Sequence, residues 1–173
     1  MAEIKATKDV MVGVFDFPHL PYWFSLRQAI GIVKKSLLSG DQLCQHPMAI
    51  LVFDEKYNLL GTLSLKDILR GLEPRFMQQT SKAQVPANDD AGLALIWDTL
   101  FVKDAASLAE RPVVDFMVPA KFFVKADDPV TKAAYLMIHH DLALLPVLDD
   151  KKFVGLVRMI EVFEALSTAI YKD

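Results

Sequence analysis

Leu144-Leu145-Pro146-Val147-Leu148-Asp149 runs into the turn Asp150-Lys151-Lys152 and then into Phe153-Val154-Gly155-Leu156-Val157. Two short apolar runs joined by a polar turn are the pattern of a β-hairpin. The same pattern stands earlier in the chain. Met48-Ala49-Ile50-Leu51-Val52-Phe53-Asp54 leads through Glu55-Lys56-Tyr57-Asn58 into Leu59-Leu60-Gly61-Thr62-Leu63. In both, a glycine interrupts the second run and an amphipathic helix follows at once, Leu65 to Arg70 in the first and Met159 to Leu166 in the second. Self-similarity of this kind sets the architecture before any single motif does.

The match extends upstream. Ser25-Leu26-Arg27-Gln28-Ala29-Ile30-Gly31-Ile32-Val33 and Pro129-Val130-Thr131-Lys132-Ala133-Ala134-Tyr135-Leu136-Met137 space apolar residues by three and four, one face of a helix. Ser25, and Asp128 before Pro129, are the expected N-caps. Before the helices lie Lys8-Asp9-Val10-Met11-Val12-Gly13 and Val114-Asp115-Phe116-Met117-Val118-Pro119, which share Asp, an apolar residue, Met, Val and a turn former. Each copy therefore reads strand, helix, strand, strand, helix. This is an α/β (α+β) chain of two β-α-β-β-α repeats over 1–73 and 112–173, joined by 74–111. The first copy carries an additional loop around Leu38 to His46. Within the joining segment, Gln78 to Asp90 reads as a mobile polar loop and Ala91 to Asp104 as an apolar helix containing Trp97 and Phe101.

Composition narrows the function. The 173 residues suffice for a sizeable core. With 24% charged residues and a net charge of −3 there is no electrostatic case for nucleic acid. Without a dense Lys/Arg run there is none for an anionic membrane surface. Apolar stretches are broken by charges before spanning length, and the N-terminus lacks the apolar core of a secretory signal. One cysteine, Cys44, rules out an internal disulfide and suits a reducing compartment, so a cytoplasmic location is expected. The hydrophobic share of 53% and mean hydropathy of +0.26 are high, which points to a generous core or a face covered by a partner subunit.

Taken together, residues 8–72 and 112–171 resemble a tandem pair of CBS (cystathionine β-synthase) domains. The resemblance rests on the order, spacing and duplication of the Asp-apolar-Met segment, the Leu-Leu-Pro-Val-Leu-Asp-Asp hairpin and the Gly-Thr-Leu-Ser-Leu-Lys-Asp-Ile-Leu exit. It implies sheets packed face to face with pseudo-two-fold symmetry, a homodimer, and clefts that take an adenine nucleotide such as AMP, ADP or ATP. It also implies that the ligand state is signalled to an effector protein. No attached effector is evident, so the chain resembles the free-standing members.

The family's nucleotide signature is Gly, two apolar-type positions, Ser or Thr, two residues, then Asp. Here it is Gly61-Thr62-Leu63-Ser64-Leu65-Lys66-Asp67. The resemblance assigns Asp67 to a ribose diol and Ser64 to phosphate, with Thr62 beside them. The chemistry is sound, since a carboxylate accepts two hydrogen bonds and a helix N-terminus favours phosphate. The same residues also read as a helix cap. The second copy has Arg158 and Glu161 at the corresponding positions. Arg158 would meet a phosphate, fill the cleft itself or pair with Glu161. The two clefts are thus expected to be unequal, the first being the better candidate. Tyr22, in the aromatic cluster His19-Leu20-Pro21-Tyr22-Trp23-Phe24, either stacks on a purine or belongs to the core or a dimer contact.

Other constellations lead elsewhere. Adjacent His139, His140 and Asp141 point in different directions and suit a helix C-terminus, and Cys44 with His46 lacks further ligands. No nucleophile-base spacing or phosphate-binding glycine loop is present. The expected function is a non-enzymatic regulatory module that senses a nucleotide and requires no cofactor. The alternative is a ligand-free interaction module.

Overall fold

The computed structural model describes residues 4–39, 49–73 and 104–171. The strands are β1 (Val12–Gly13), β2 (His19–Pro21), β3 (Ala49–Phe53), β4 (Leu59–Ser64), β5 (Val118–Pro119), β6 (Val124–Lys125), β7 (Leu144–Asp149) and β8 (Lys152–Arg158). The helices are α1 (Leu26–Ser39), α2 (Leu65–Leu72), α3 (Val130–His140) and α4 (Met159–Tyr171). The loop expected at Leu38 to His46, that at Gln78 to Asp90, and the helix expected from Ala91 lie outside the described residues, apart from their ends. Residues 104–108 are helical.

Both hairpins form as read, β3 with β4 and β7 with β8. β3 is buried along its whole length, as a continuous apolar run requires of a strand covered on both faces. α1 starts on a reciprocal cap in which the Gln28 N–H donates to Ser25 Oγ (3.3 Å) and the Ser25 N–H to Gln28 Oε1 (2.9 Å). Its buried residues Leu26, Ala29 and Val33 follow the helical period, as do Val130, Ala133 and Met137 of α3.

Two expectations need correction. Pro129, not Asp128, holds the cap position of α3. The Val130 N–H donates instead to the Lys5 carbonyl (3.0 Å), and the Asp128 carboxylate accepts from the Lys125 N–H and Lys132 Nζ. The first helical N–H of α1 is met in the same way, by the Arg111 carbonyl (2.9 Å), so a segment distant in sequence meets the start of each helix. Likewise, the Met11 and Met117 segments are not the strands that precede each helix within its own sheet. Those are β2 and β6, parallel to β3 and β7.

The leading segments cross over. β1 pairs antiparallel with β8 of the other half, and β5 pairs with β4, giving sheets ordered β1-β8-β7-β6 and β2-β3-β4-β5. The cores are exchanged in step. Val10 and Met11 pack on the second core around Val130, Met137 and Leu145, while Val113, Phe116 and Met117 belong to the first around Leu26, Ile50 and Leu63. The bonds repeat the swap. The Thr7 N–H and hydroxyl both reach the Asp128 carbonyl at 2.8 Å, and the Val113 N–H reaches the Phe24 carbonyl at 2.8 Å. Ala6 bridges Pro129 as Pro112 bridges Ser25, which is the pseudo-two-fold relation. Between the sheets, Leu51, Phe53, Leu156 and Phe17 form a third apolar cluster.

The glycines shared by the hairpins permit this exchange. A Cβ on Gly61 would lie 2.4 Å from the Val118 carbonyl oxygen, and one on Gly155 2.4 Å from that of Val12. Because the obstacle is backbone, relief requires moving a paired strand. Gly155→Ala and Gly61→Ala should each cost about 1–3 kcal/mol in urea unfolding, as overpacking does. Gly31→Ala, in open space on α1, should instead stabilise by about 0.5–1 kcal/mol.

Candidate functional site

β4 ends at Ser64 and α2 begins at Leu65, so Ser64 is the N-cap and Asp67 the third residue of the helix. The two side chains satisfy each other's backbone. The Ser64 N–H donates to Asp67 Oδ2 (2.9 Å), and the Asp67 N–H donates to Ser64 Oγ (3.3 Å). The Ser64 hydroxyl also donates to Asp67 Oδ2 (2.6 Å), so its single hydrogen is engaged there. Asp67 is buried, with Oδ1 3.6 Å from Arg70 Nη1. Its Oδ1 edge is the part of the pair with acceptor capacity to spare. Thr62 lies two residues back on β4, opposite Val118 of β5. It borders a hollow of about 30 Å3 whose other walls include Pro119, Phe122, Leu142 and Pro146 from the second half of the chain.

Arg158 and Glu161 occupy the equivalent junction of β8 and α4. The Arg158 N–H donates to Glu161 Oε2 (2.9 Å), repeating the backbone half of the first cap. The guanidinium then folds onto the same carboxylate, with Nε 2.9 Å from Oε1 and Nη2 also donating to Oε1. Of the alternatives open to Arg158, pairing with Glu161 is the one formed, and both side chains are largely buried. Removing one partner leaves the other charge buried and unmatched, which is costly. Arg158→Ala should destabilise the fold by about 3 kcal/mol in urea unfolding. Arg158→Ser combined with Glu161→Asp, which rebuilds the first half's cap, should recover most of that loss.

Tyr22 stands apart from the Ser64–Asp67 pair. It follows β2 and its N–H donates to the Phe53 carbonyl, whereas Ser64 pairs with Ala49 at the other end of β3. The separation is the length of β3, roughly 13 Å. The Tyr22 hydroxyl donates to Glu55 Oε1 (2.8 Å), and that bond and charge push the phenol pKa up. Its ring meets Trp23 edge-on and packs against the first core.

A wider cleft adjoins the hollow at Thr62, sharing Ala120 and Pro146 with it. It holds about 720 Å3 between the two hairpin ends, lined by Phe15, Phe53, Tyr57, Phe123, Lys151, Lys152 and Phe153 among others. None of the six residues singled out in the sequence borders it. Behind it His19 meets Phe15, Phe53 and Tyr57 edge-on, and burial pushes the imidazole pKa below its ordinary value. The signal for this cleft, Tyr57 and Lys151 at corresponding turn positions, is present in the sequence but is not a motif. The two histidines ending α3 sit at its C-terminus as read, with His140 stacked on Phe122 at 3.9 Å.

Comparison with known proteins agrees with this fold. The family model of the CBS domain matches residues 113–168. Residues 113–168 are thus similar to a CBS domain, and the fold of the described residues is that of the CBS-pair structures. The CBS-pair protein CBSX2 from Arabidopsis thaliana has a crystal structure that aligns with a TM-score of 0.65 at 17% identity, covering 99% of this chain and 100% of that one. CBSX2 in complex with AMP aligns with a TM-score of 0.59 at 19% identity, covering 94% and 96%. The cytosolic domain of the Mg2+ channel MgtE in complex with ATP aligns with a TM-score of 0.53 at 19% identity, covering 86% of this chain and 44% of that one. No curated protein matches the sequence. Among the described residues, no helix is long and apolar enough to cross a membrane.

Proposed function

We propose that this chain is a cytoplasmic, non-catalytic regulatory module that binds an adenine nucleotide beside Ser64 and Asp67 and signals its occupancy to an effector protein. The observation that carries the reading is the placement of Asp67, a buried carboxylate at a helix N-terminus with one oxygen edge to offer. That suits a ribose diol, with phosphate toward the N-terminus of α2. The AMP and ATP complexes of proteins with this fold support the ligand class. Signalling would follow from the walls of the cleft, since Thr62 faces Val118 of the other half. A nucleotide that fits one arrangement of the halves better than another shifts the balance between them.

Isothermal titration of ligand-stripped protein with AMP, ADP and ATP tests this. At least one should bind, and Asp67→Ala should weaken it by more than about tenfold, or 1.4 kcal/mol. Arg158→Ala, at the locked cleft, should leave that affinity within about threefold as long as the variant is folded. Heat from none of the three nucleotides removes the proposal.

A homodimer is proposed from a different observation. α3 and α4 expose Tyr135, Ile138, Ile160, Phe163 and Ile170, whereas among the described side chains of α1 and α2 Leu69 is the one large apolar residue exposed, beside Arg27, Lys34, Lys35, Lys66 and Arg70. An apolar face on one half is suited to isologous contact with its own copy. Light scattering should give twice the chain mass, and Phe163→Glu should return it to the monomer mass; a monomeric wild-type chain refutes the dimer.

A further inference from the structure

Each hairpin carries a large side chain where the backbone favours glycine. In the first, the Tyr57 N–H closes a turn on the Asp54 carbonyl (3.1 Å), and Tyr57 itself is left-handed with φ 62°. In the second, Asp150 and Lys151 form the two-residue loop between the paired Asp149 and Lys152, with φ 43° and 68°. Left-handed positions in hairpin turns are those at which glycine and asparagine predominate, because a Cβ is penalised there. Tyr57 and Lys151 correspond under the duplication, each lying four residues before the shared glycine. Both line the cleft of about 720 Å3 at the hairpin ends.

Nothing in turn formation calls for a tyrosine or a lysine at these places. The cleft gives both a use. Its volume falls within the roughly 300–1,000 Å3 of small-molecule sites. Phe53 and Tyr57 are stacked with centroids 4.3 Å apart, and Phe15 and Phe153 add further aromatic wall. Among the described residues, Lys151 and Lys152 are its only charged lining groups, in a chain of net charge −3, and neither has an ion pair there. We propose that this cleft is a second ligand site, for a small planar aromatic molecule bearing an anionic group. Its hairpin end lies at the end of β4 opposite Ser64, roughly 17 Å along the strand, while Ala120 and Pro146 form a wall common to it and the hollow at Thr62.

The test is fluorescence titration of the whole chain with anilinonaphthalene sulfonate, a planar aromatic anion, beside its uncharged analogue N-phenylnaphthylamine. The sulfonate should saturate one site per chain and bind more tightly than the neutral compound. Lys151→Gly and Tyr57→Gly should each weaken it by about tenfold or more. The melting temperature of Lys151→Gly should be unchanged or raised, because glycine suits that turn, so its loss of binding cannot be attributed to unfolding. Asp67→Ala should bind the probe as the wild type does, which separates this site from the nucleotide cleft. Lys151→Gly with affinity within twofold of wild type overturns the proposal, as does loss of the probe on Phe163→Glu, which would place it on the exposed helix face.

Discussion

The structure depends on backbone passing over backbone at two glycines. β5 can pair with β4 only because Gly61 has no Cβ to meet the Val118 carbonyl, and β1 with β8 only because Gly155 has none to meet that of Val12. From those two contacts follow the four-stranded sheets, the insertion of Met11 and Met117 into each other's cores, and the close approach of the halves around Leu51 and Leu156. Each half completes its partner. A boundary drawn along the sequence at 73 or 112 is therefore not a boundary between independent bodies, since residues 6–13 complete the core of the second half.

Within that frame the two junctions between hairpin and helix show one geometry met by different chemistry. In both, a carboxylate at the third helical position takes the N–H of the residue before the helix. Ser64 completes the arrangement with a hydroxyl, leaving an oxygen edge of Asp67 near Arg70. Arg158 completes it with a guanidinium that covers both oxygens of Glu161. A longer acid brings its carboxylate back to the same N–H and has reach to match the Arg fork, whereas Asp with Ser is compact. The second junction is thus occupied by its own ion pair, whereas the first is closed by a hydroxyl.

The hairpins were legible in the sequence because a buried strand pair declares itself by composition: Ile50 to Phe53 and Leu145 to Leu148 are apolar, and the turns are not. The caps at Ser25 and Ser64 were legible because capping is local, a serine with its reciprocal partner three residues on. Where the determining partner lay far off in the chain, local reading lost its grip. β1 and β5 are two residues long and carry no period, and their partners belong to the other repeat. β2 is three residues ending in a proline, within a run that reads as an aromatic cluster. Asp128 had the composition of a cap, but Pro129 holds that position and the Asp128 carboxylate turns back to the Lys125 N–H. The large cleft was illegible for a further reason. It depends on two turns being brought together, and its side chains Tyr57 and Lys151 occupy positions where turn chemistry would favour smaller residues.

The duplication has been used asymmetrically. The first half keeps the open cap and a mostly charged helical surface with Leu69 exposed, while the second locks its cap with an ion pair and exposes Ile160, Phe163 and Ile170. If ligand is taken by the first and association made by the second, information has to cross between them. The exchanged strands provide a physical route: Val118 lies opposite Thr62 beside the proposed nucleotide site, and the same segment leads through Phe122, stacked on His140, to the C-terminus of α3. α3 is one of the two helices that present the apolar face. The extent of coupling is bounded by the difference in ligand affinity between arrangements, and a tenfold difference shifts the balance by only about 1.4 kcal/mol. Such a shift is small against the stability of a fold yet comparable to the differences that decide whether a modest interface forms.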